Sequence, residues 1–135
     1  MNLAAVMQAV ADRLDTIAGL RCFAYPEAAL TPPGAVVLYP ERIAFDGAYQ
    51  RGQDRATLPV LVVVGKVSDR SARDQIGVYC DGSGAASVKQ VLESGTYTAF
   101  DVVTVTAVDF DVVTLASTDY LAANFTLDIV GKGTS

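Results

Sequence analysis

From Leu121 to Ile129 the chain alternates without a break. Leu121, Ala123, Phe125, Leu127 and Ile129 hold one parity, and Ala122, Asn124, Thr126 and Asp128 hold the other. Successive side chains of an extended strand point to opposite faces, so the segment predicts a strand with one buried and one wetter face. A half-apolar strand needs neighbours and a covering layer, and the rest of the chain supplies candidates for both.

Residues 56–67 carry Leu58, Val60, Leu61, Val62, Val63 and Val64 in a nearly continuous apolar run. Such a run suits a strand covered on both faces and placed centrally in a sheet. Pro59 has no N–H to give to a ladder, so it is expected at the start of that strand. Phe100-Asp101-Val102-Val103-Thr104 returns as Phe110-Asp111-Val112-Val113-Thr114, a local echo too short to make a repeat architecture. Residues 20–25 and 35–39 read as shorter strands. Pro40 ends or kinks the second, and Ile43–Phe45 resumes it. Ser117-Thr118-Asp119 reads as a turn.

Two regions have helical spacing. Leu3, Val6, Met7, Val10, Leu14 and Ile17 form one stripe over residues 3–18, with Asn2 as an N-cap and Gly19 where a C-terminal cap belongs. Ser68 and Asp69 can cap a helix over 70–80 that buries Ala72, Ile76, Tyr79 and Cys80. A second short helix over 85–94 carries Val88, Val91 and Leu92, and Gly95 stops it. The expected class is α+β: a mostly antiparallel twisted sheet with an N-terminal helix and a central helix pair packed on it. No linker divides residues 1–135, so one domain is expected, with 131–135 as a frayed tail.

Composition narrows function by exclusion. The chain has no histidine, which removes Ser–His and Cys–His nucleophilic pairs and every His-ligated metal site. Its two cysteines, Cys22 and Cys80, form neither a disulfide framework nor a metal knuckle, and read as buried thiols in a reducing compartment. Net charge is −5 and the basic residues are scattered, so no run of them matches a row of phosphates. Asp12, Arg13 and Asp15 interrupt the N-terminal apolar run, which does not read as a signal peptide. The longest apolar stretch, residues 58–64, is too short to span a bilayer. Only 19% of residues are charged against 51% apolar, a balance that favours surface covered by self-association.

Four constellations invite a chemical reading. Asp81-Gly82-Ser83-Gly84 lacks the Lys and the spacing of a phosphate loop and reads as a connector between helices. Asp109 and Asp111, with Asp101 nearby, would share a face if extended. They read as strand-end carboxylates that discourage edge pairing rather than as a cation site. Asp69, Arg70, Arg73 and Asp74 read as surface or the rim of an interface. Asp46, Tyr49, Arg51, Asp54 and Arg55 sit on the polar stretch 46–55, taken as a loop. Tyr and Arg there suit docking against a neighbouring subunit, and a solvent loop is the equal alternative. No nucleophile has a visible base beside it, so no catalytic, metal-binding or cofactor-binding residue is assigned.

The helix LAAVMQAVADRL, the strand and loop AVVLYPERIAFDGAY, the segment LPVLVVVGKVSDRSARD, and TAFDVVTV with DYLAANFTLDIVG together cover most of these elements. In layout and phrase they resemble the tail terminator proteins of long-tailed phages, those of actinobacteriophages in particular. The resemblance implies a virion protein and not an enzyme, with no cofactor. It implies a homohexameric ring on the head-proximal end of the tail tube, assembled in the host cytoplasm. Such a ring ends tube polymerisation, offers a surface to the head-completion or neck protein, and lets genomic DNA pass through its lumen. No interface position is carried over, because no motif fixes one. The competing readings are another neck component, such as a head-closure or adaptor protein, and a small ligand-binding domain.

Overall fold

The structure is a computed structural model, and it describes residues 3–17, 20–23, 34–38, 40, 42–44, 53–68, 70–84, 86–98, 100–115 and 117–132. These residues form a mixed α+β fold with a largely antiparallel six-stranded sheet and three helices. In chain order they are α1 (Leu3–Leu14), β1 (Arg21–Phe23), β2 (Gly34–Val37), β3 (Arg42–Ala44), β4 (Gln53–Lys66), α2 (Arg70–Tyr79), α3 (Val88–Glu93), β5 (Val102–Leu115) and β6 (Thr118–Lys132). The sheet order is β1-β2-β4-β6-β5, with β3 also on β4. Only β1 and β2 run parallel; every other pair is antiparallel.

The long alternating segment is β6. Ala123, Phe125, Leu127 and Ile129 are fully or almost fully buried, and they pair across the ladder with Val62, Val60, Leu58 and Ala56 of β4. The same face receives Ala35 and Val37 from β2 and Val103 and Val105 from β5. Val6, Val10 and Leu14 of α1, Ala72 and Tyr79 of α2, and Val88 and Leu92 of α3 join it in one core. Val63 and Ala122, on the opposite face, are buried as well. Adjacent residues buried on both faces explain why β4 has no polar alternation, and it holds the centre of the sheet.

Pro59 is not at the start of its strand but inside β4, opposite Thr126. Its carbonyl accepts from the Leu38 N–H at 3.0 Å, so its ring nitrogen faces the flank shared by β2 and β3. That flank is interrupted between Val37, opposite Val60, and Arg42, opposite Thr57. A proline is tolerated there because no partner strand demands its missing N–H.

Other boundaries also move. The stretch taken as a loop through Arg55 is strand from Gln53 onward, because Gln53, Asp54 and Arg55 pair with Lys132, Gly131 and Val130. For the same reason Gly131 and Lys132 belong to β6 and not to the tail. The 3–18 helix ends at Leu14, and residues 15–17 turn. Thr118 and Asp119 are strand, and the turn residue is Ser117, at φ 65°. Asn2, Gly19 and Asp69, offered as caps, lie outside the described residues.

The Phe-Asp-Val-Val-Thr echo does not repeat in space. The register against β6 shifts between Val105 and Ala107, one residue too many on β5. A bulge of this kind exchanges the faces of everything beyond it. Val103 therefore faces the core while Val113 faces away, and Val102 and Val112 exchange in the same sense. Phe100, just before β5, is 3% exposed and stacks on Tyr97 with ring centroids 4.4 Å apart, whereas Phe110 is 65% exposed.

Candidate functional site

Of the five residues proposed for the subunit interface, Asp46, Tyr49 and Arg51 lie outside the described residues. Asp54 and Arg55 are neighbours on β4 and so point to opposite faces. Asp54 is buried on the helix-covered side. Arg55 is 62% exposed on the other, where its Nε stands 3.5 Å from Asp128 Oδ1. The two cannot serve one flat contact surface. The polar composition of 46–55 could not reveal this, because it conceals the pairing of residues 53–55 with the end of β6.

A shallow cleft between α1 and the segment after α3 is lined by Ala9, Asp12, Arg13, Thr16, Thr96, Tyr97 and Thr98. Its polar groups hold the fold together. Arg13 Nε donates to the Val91 carbonyl at 2.8 Å, its Nη2 reaches Ser94 Oγ at 3.2 Å, and the Tyr97 hydroxyl donates to the Leu92 carbonyl at 2.6 Å. These carbonyls close the last turn of α3, where a helix has no partners of its own. Burial pushes the Tyr97 phenol up, against the opposing pull of Arg13, which keeps it a donor. At the other end of α3, Ser87 is fully buried and caps the helix, its Oγ accepting from the Gln90 N–H at 3.2 Å. Gly95 follows Ser94, the C-cap, and a Cβ there would stand 2.7 Å from the Tyr97 hydroxyl.

Glu93 ties α3 to the edge strand. Its Oε2 accepts from Lys89 Nζ at 2.6 Å and from the Val105 N–H at 2.9 Å, beside the β5 bulge. Lys89 holds the carboxyl below its ordinary value; the Val105 N–H adds to this, and partial burial opposes it. A depressed folded-state pKa contributes stability that is present above the unfolded pKa and is lost as pH falls through the folded one. Glu93→Gln is therefore expected to destabilise the domain near neutral pH by on the order of 1 kcal/mol. It should also make the acid limb of a stability–pH curve shallower. Urea denaturation between pH 3 and 7 measures both, and an unchanged acid limb would remove Glu93 from the account.

Cys22 and Cys80 are half-buried and not bonded to each other, and burial pushes the Cys80 thiol up to about 11. Its thiolate is scarce at neutral pH. No group of three or more His, Cys, Asp or Glu among the described residues is placed to hold a metal ion. No described helix is long and apolar enough to cross a membrane.

Several exposed side chains gather on β5. This strand ends the sheet, and its outer flank has no strand partner among the described residues. Past the bulge, Val108, Phe110 and Val112 lie on the helix-covered side, yet Phe110 and Val112 are 65% and 50% exposed. Asp109 and Asp111 are exposed on the helix-free side. Asn124, opposite Asp109, has a buried Oδ1 without a hydrogen-bond partner. Sequence reasoning placed Asp109 and Asp111 on one face. It missed the exposure of Phe110 and Val112, which depends on a bulge that only the pairing with β6 reveals. No protein-family model matches the chain, and no curated protein matches it.

Proposed function

We propose that the chain is a structural virion protein of a long-tailed phage. In this reading it assembles as a ring, a hexamer, on the head-proximal end of the tail tube, ends tube polymerisation and joins the tail to the head. The observation that carries the self-assembling part is the outer edge of β5, where Phe110 and Val112 stand exposed on a strand that has one strand partner among the described residues. An exposed, long, partly apolar edge is a surface that natural domains cover. The tail assignment rests on the resemblance of the sequence segments to tail terminators. A helix-bearing sheet fits that family, as does an acidic surface that repels DNA in a lumen. The cleft by Tyr97 does not favour a ligand-binding domain, since Arg13 and the Tyr97 hydroxyl are engaged with α3.

Mixing the purified protein with polymerising tail tube protein tests this function. Tubes are expected to stop growing and to carry a ring on one end by negative-stain electron microscopy. Binding to isolated portal complexes and not to tubes would instead place the protein at the head side of the neck, as an adaptor or head-closure component. Binding to neither would defeat both assignments.

A further inference from the structure

The two edges of the sheet are unlike. At one edge β1 carries Arg21, and β3, one step in, carries Arg42; both are exposed. At the other, β5 carries Asp109 and Asp111. The ladder pairs connect them in a single row: Arg21 stands opposite Gly34, Gly34 opposite Val63, Val63 opposite Ala122, and Ala122 opposite Asp111. Residues in one row project to one side of a sheet, so Arg21 and Asp111 end the same row on the same, helix-free face. Arg42, opposite Thr57, is on that face too, but six residues along β4 from Val63, in the row of Asp128 and Thr104. One row along, Cys22, Ala35, Val62, Ala123 and Phe110 form the matching row on the helix-covered face.

We propose that this chain binds a second copy of itself edge to edge, head to tail, with the Asp109/Asp111 edge of β5 against the Arg21 edge of β1 in its neighbour. The inference rests on the self-assembling reading above and names its contact. Setting the next copy beside the first with the same face outward brings Asp111 to Arg21 without turning either chain over. β5 then runs antiparallel to the neighbouring β1, since β1 follows β2 and each later neighbour reverses direction. The same step places Phe110 beside the row that ends at Cys22, covering part of its exposed ring. A contact between two different patches, repeated by rotation, closes into a ring where the rotation divides a full turn and runs on as a filament where it does not.

The symmetric alternative, β5 against β5, sets Asp109 and Asp111 against the carboxylates of their copies. Like charges facing across strands oppose that pairing. The contact is one of side chains rather than a full ladder, because each edge already has a main-chain N–H engaged. The Cys22 N–H donates to Asp15 Oδ1 at 3.3 Å, and the Val112 N–H donates to Asp111 Oδ1 at 2.8 Å. These caps hinder pairing with arbitrary strands and leave recognition to charge and shape.

Charge reversal across the contact tests this. Arg21→Glu and Asp111→Arg, each alone, should weaken self-association about tenfold or more, and the double reversal should recover most of it. Native mass spectrometry and light scattering over a concentration series read the assembly, and raising the salt should weaken the wild type. Thermal melts show that the variants are folded, and Phe110→Ser probes the same edge without changing charge; it too should weaken assembly. Single reversals that assemble like the wild type, or a double reversal that fails to recover, would overturn the edge assignment. So would a wild type that never self-associates. Tube capping is scored separately. Capping by all variants with unaltered assembly overturns this interface and leaves the ring reading standing. Charge-dependent assembly without capping overturns the tail assignment and leaves the interface standing.

Discussion

Phe125→Ala is expected to destabilise the domain by about 3–5 kcal/mol, enough to lower its melting temperature by on the order of 10–20 °C. Among the described residues Phe125 is the largest of the fully buried side chains, at 2% exposure, and it sits mid-strand between Val60 of β4 and Val108 of β5. The strands on either side are fixed by ladders along most of their length, so the space left by the ring cannot close by moving one of them. The loss therefore includes a cavity as well as the buried apolar surface. Phe110 is the control. It lies two residues past Val108 on the same side of β5, but it is mostly exposed, and Phe110→Ala should change the stability of the monomer by no more than about 0.5 kcal/mol. Differential scanning calorimetry at low protein concentration compares the two. Equal losses would mean that Phe110 is covered within one chain, and its use as a docking residue would fall.

This contrast also marks where sequence reasoning succeeds and where it stops. The alternation over 121–129 was legible because a strand with one buried face writes its period directly into the residue types. The Val run of β4 was legible as central for the complementary reason: both faces are covered, so the period disappears. The positions of Pro59 and of the Phe-Asp-Val-Val-Thr echo were not. Each depends on what lies beside the strand: a gap between β2 and β3 for Pro59, and one surplus residue against β6 for the echo. The faces of the candidate interface residues were hidden in the same way. Residues 46–55 are polar and contain Tyr and Arg, but Asp54 and Arg55 are strand residues on opposite faces. Arg21 and Asp111 are ninety positions apart, and only four successive pairings put them at the two ends of one row.

Gly65→Val tests how tightly the helix-covered side is closed at the end of β4. Gly65 follows the second register shift, between Val63 and Gly65, and stands opposite Leu121. A Cβ built on it would lie 2.9 Å from the Cβ of Ala72, which is buried on α2. That is closer than two carbons approach without repulsion, and neither partner is the end of a flexible side chain. Gly65→Val is expected to cost about 1–3 kcal/mol through displacement of α2. The smaller Gly65→Ala should cost less, and Ala72→Gly alone should cost up to about 1 kcal/mol, since Ala72 stands in the first turn of α2. If the two Cβ positions exclude each other, the Gly65→Ala, Ala72→Gly double variant will be more stable than the sum of its parts predicts. Urea denaturation of the four proteins measures that coupling. Simple additivity would mean that α2 shifts freely over the sheet, and that the absence of a side chain at Gly65 serves the bulge rather than the seat of the helix.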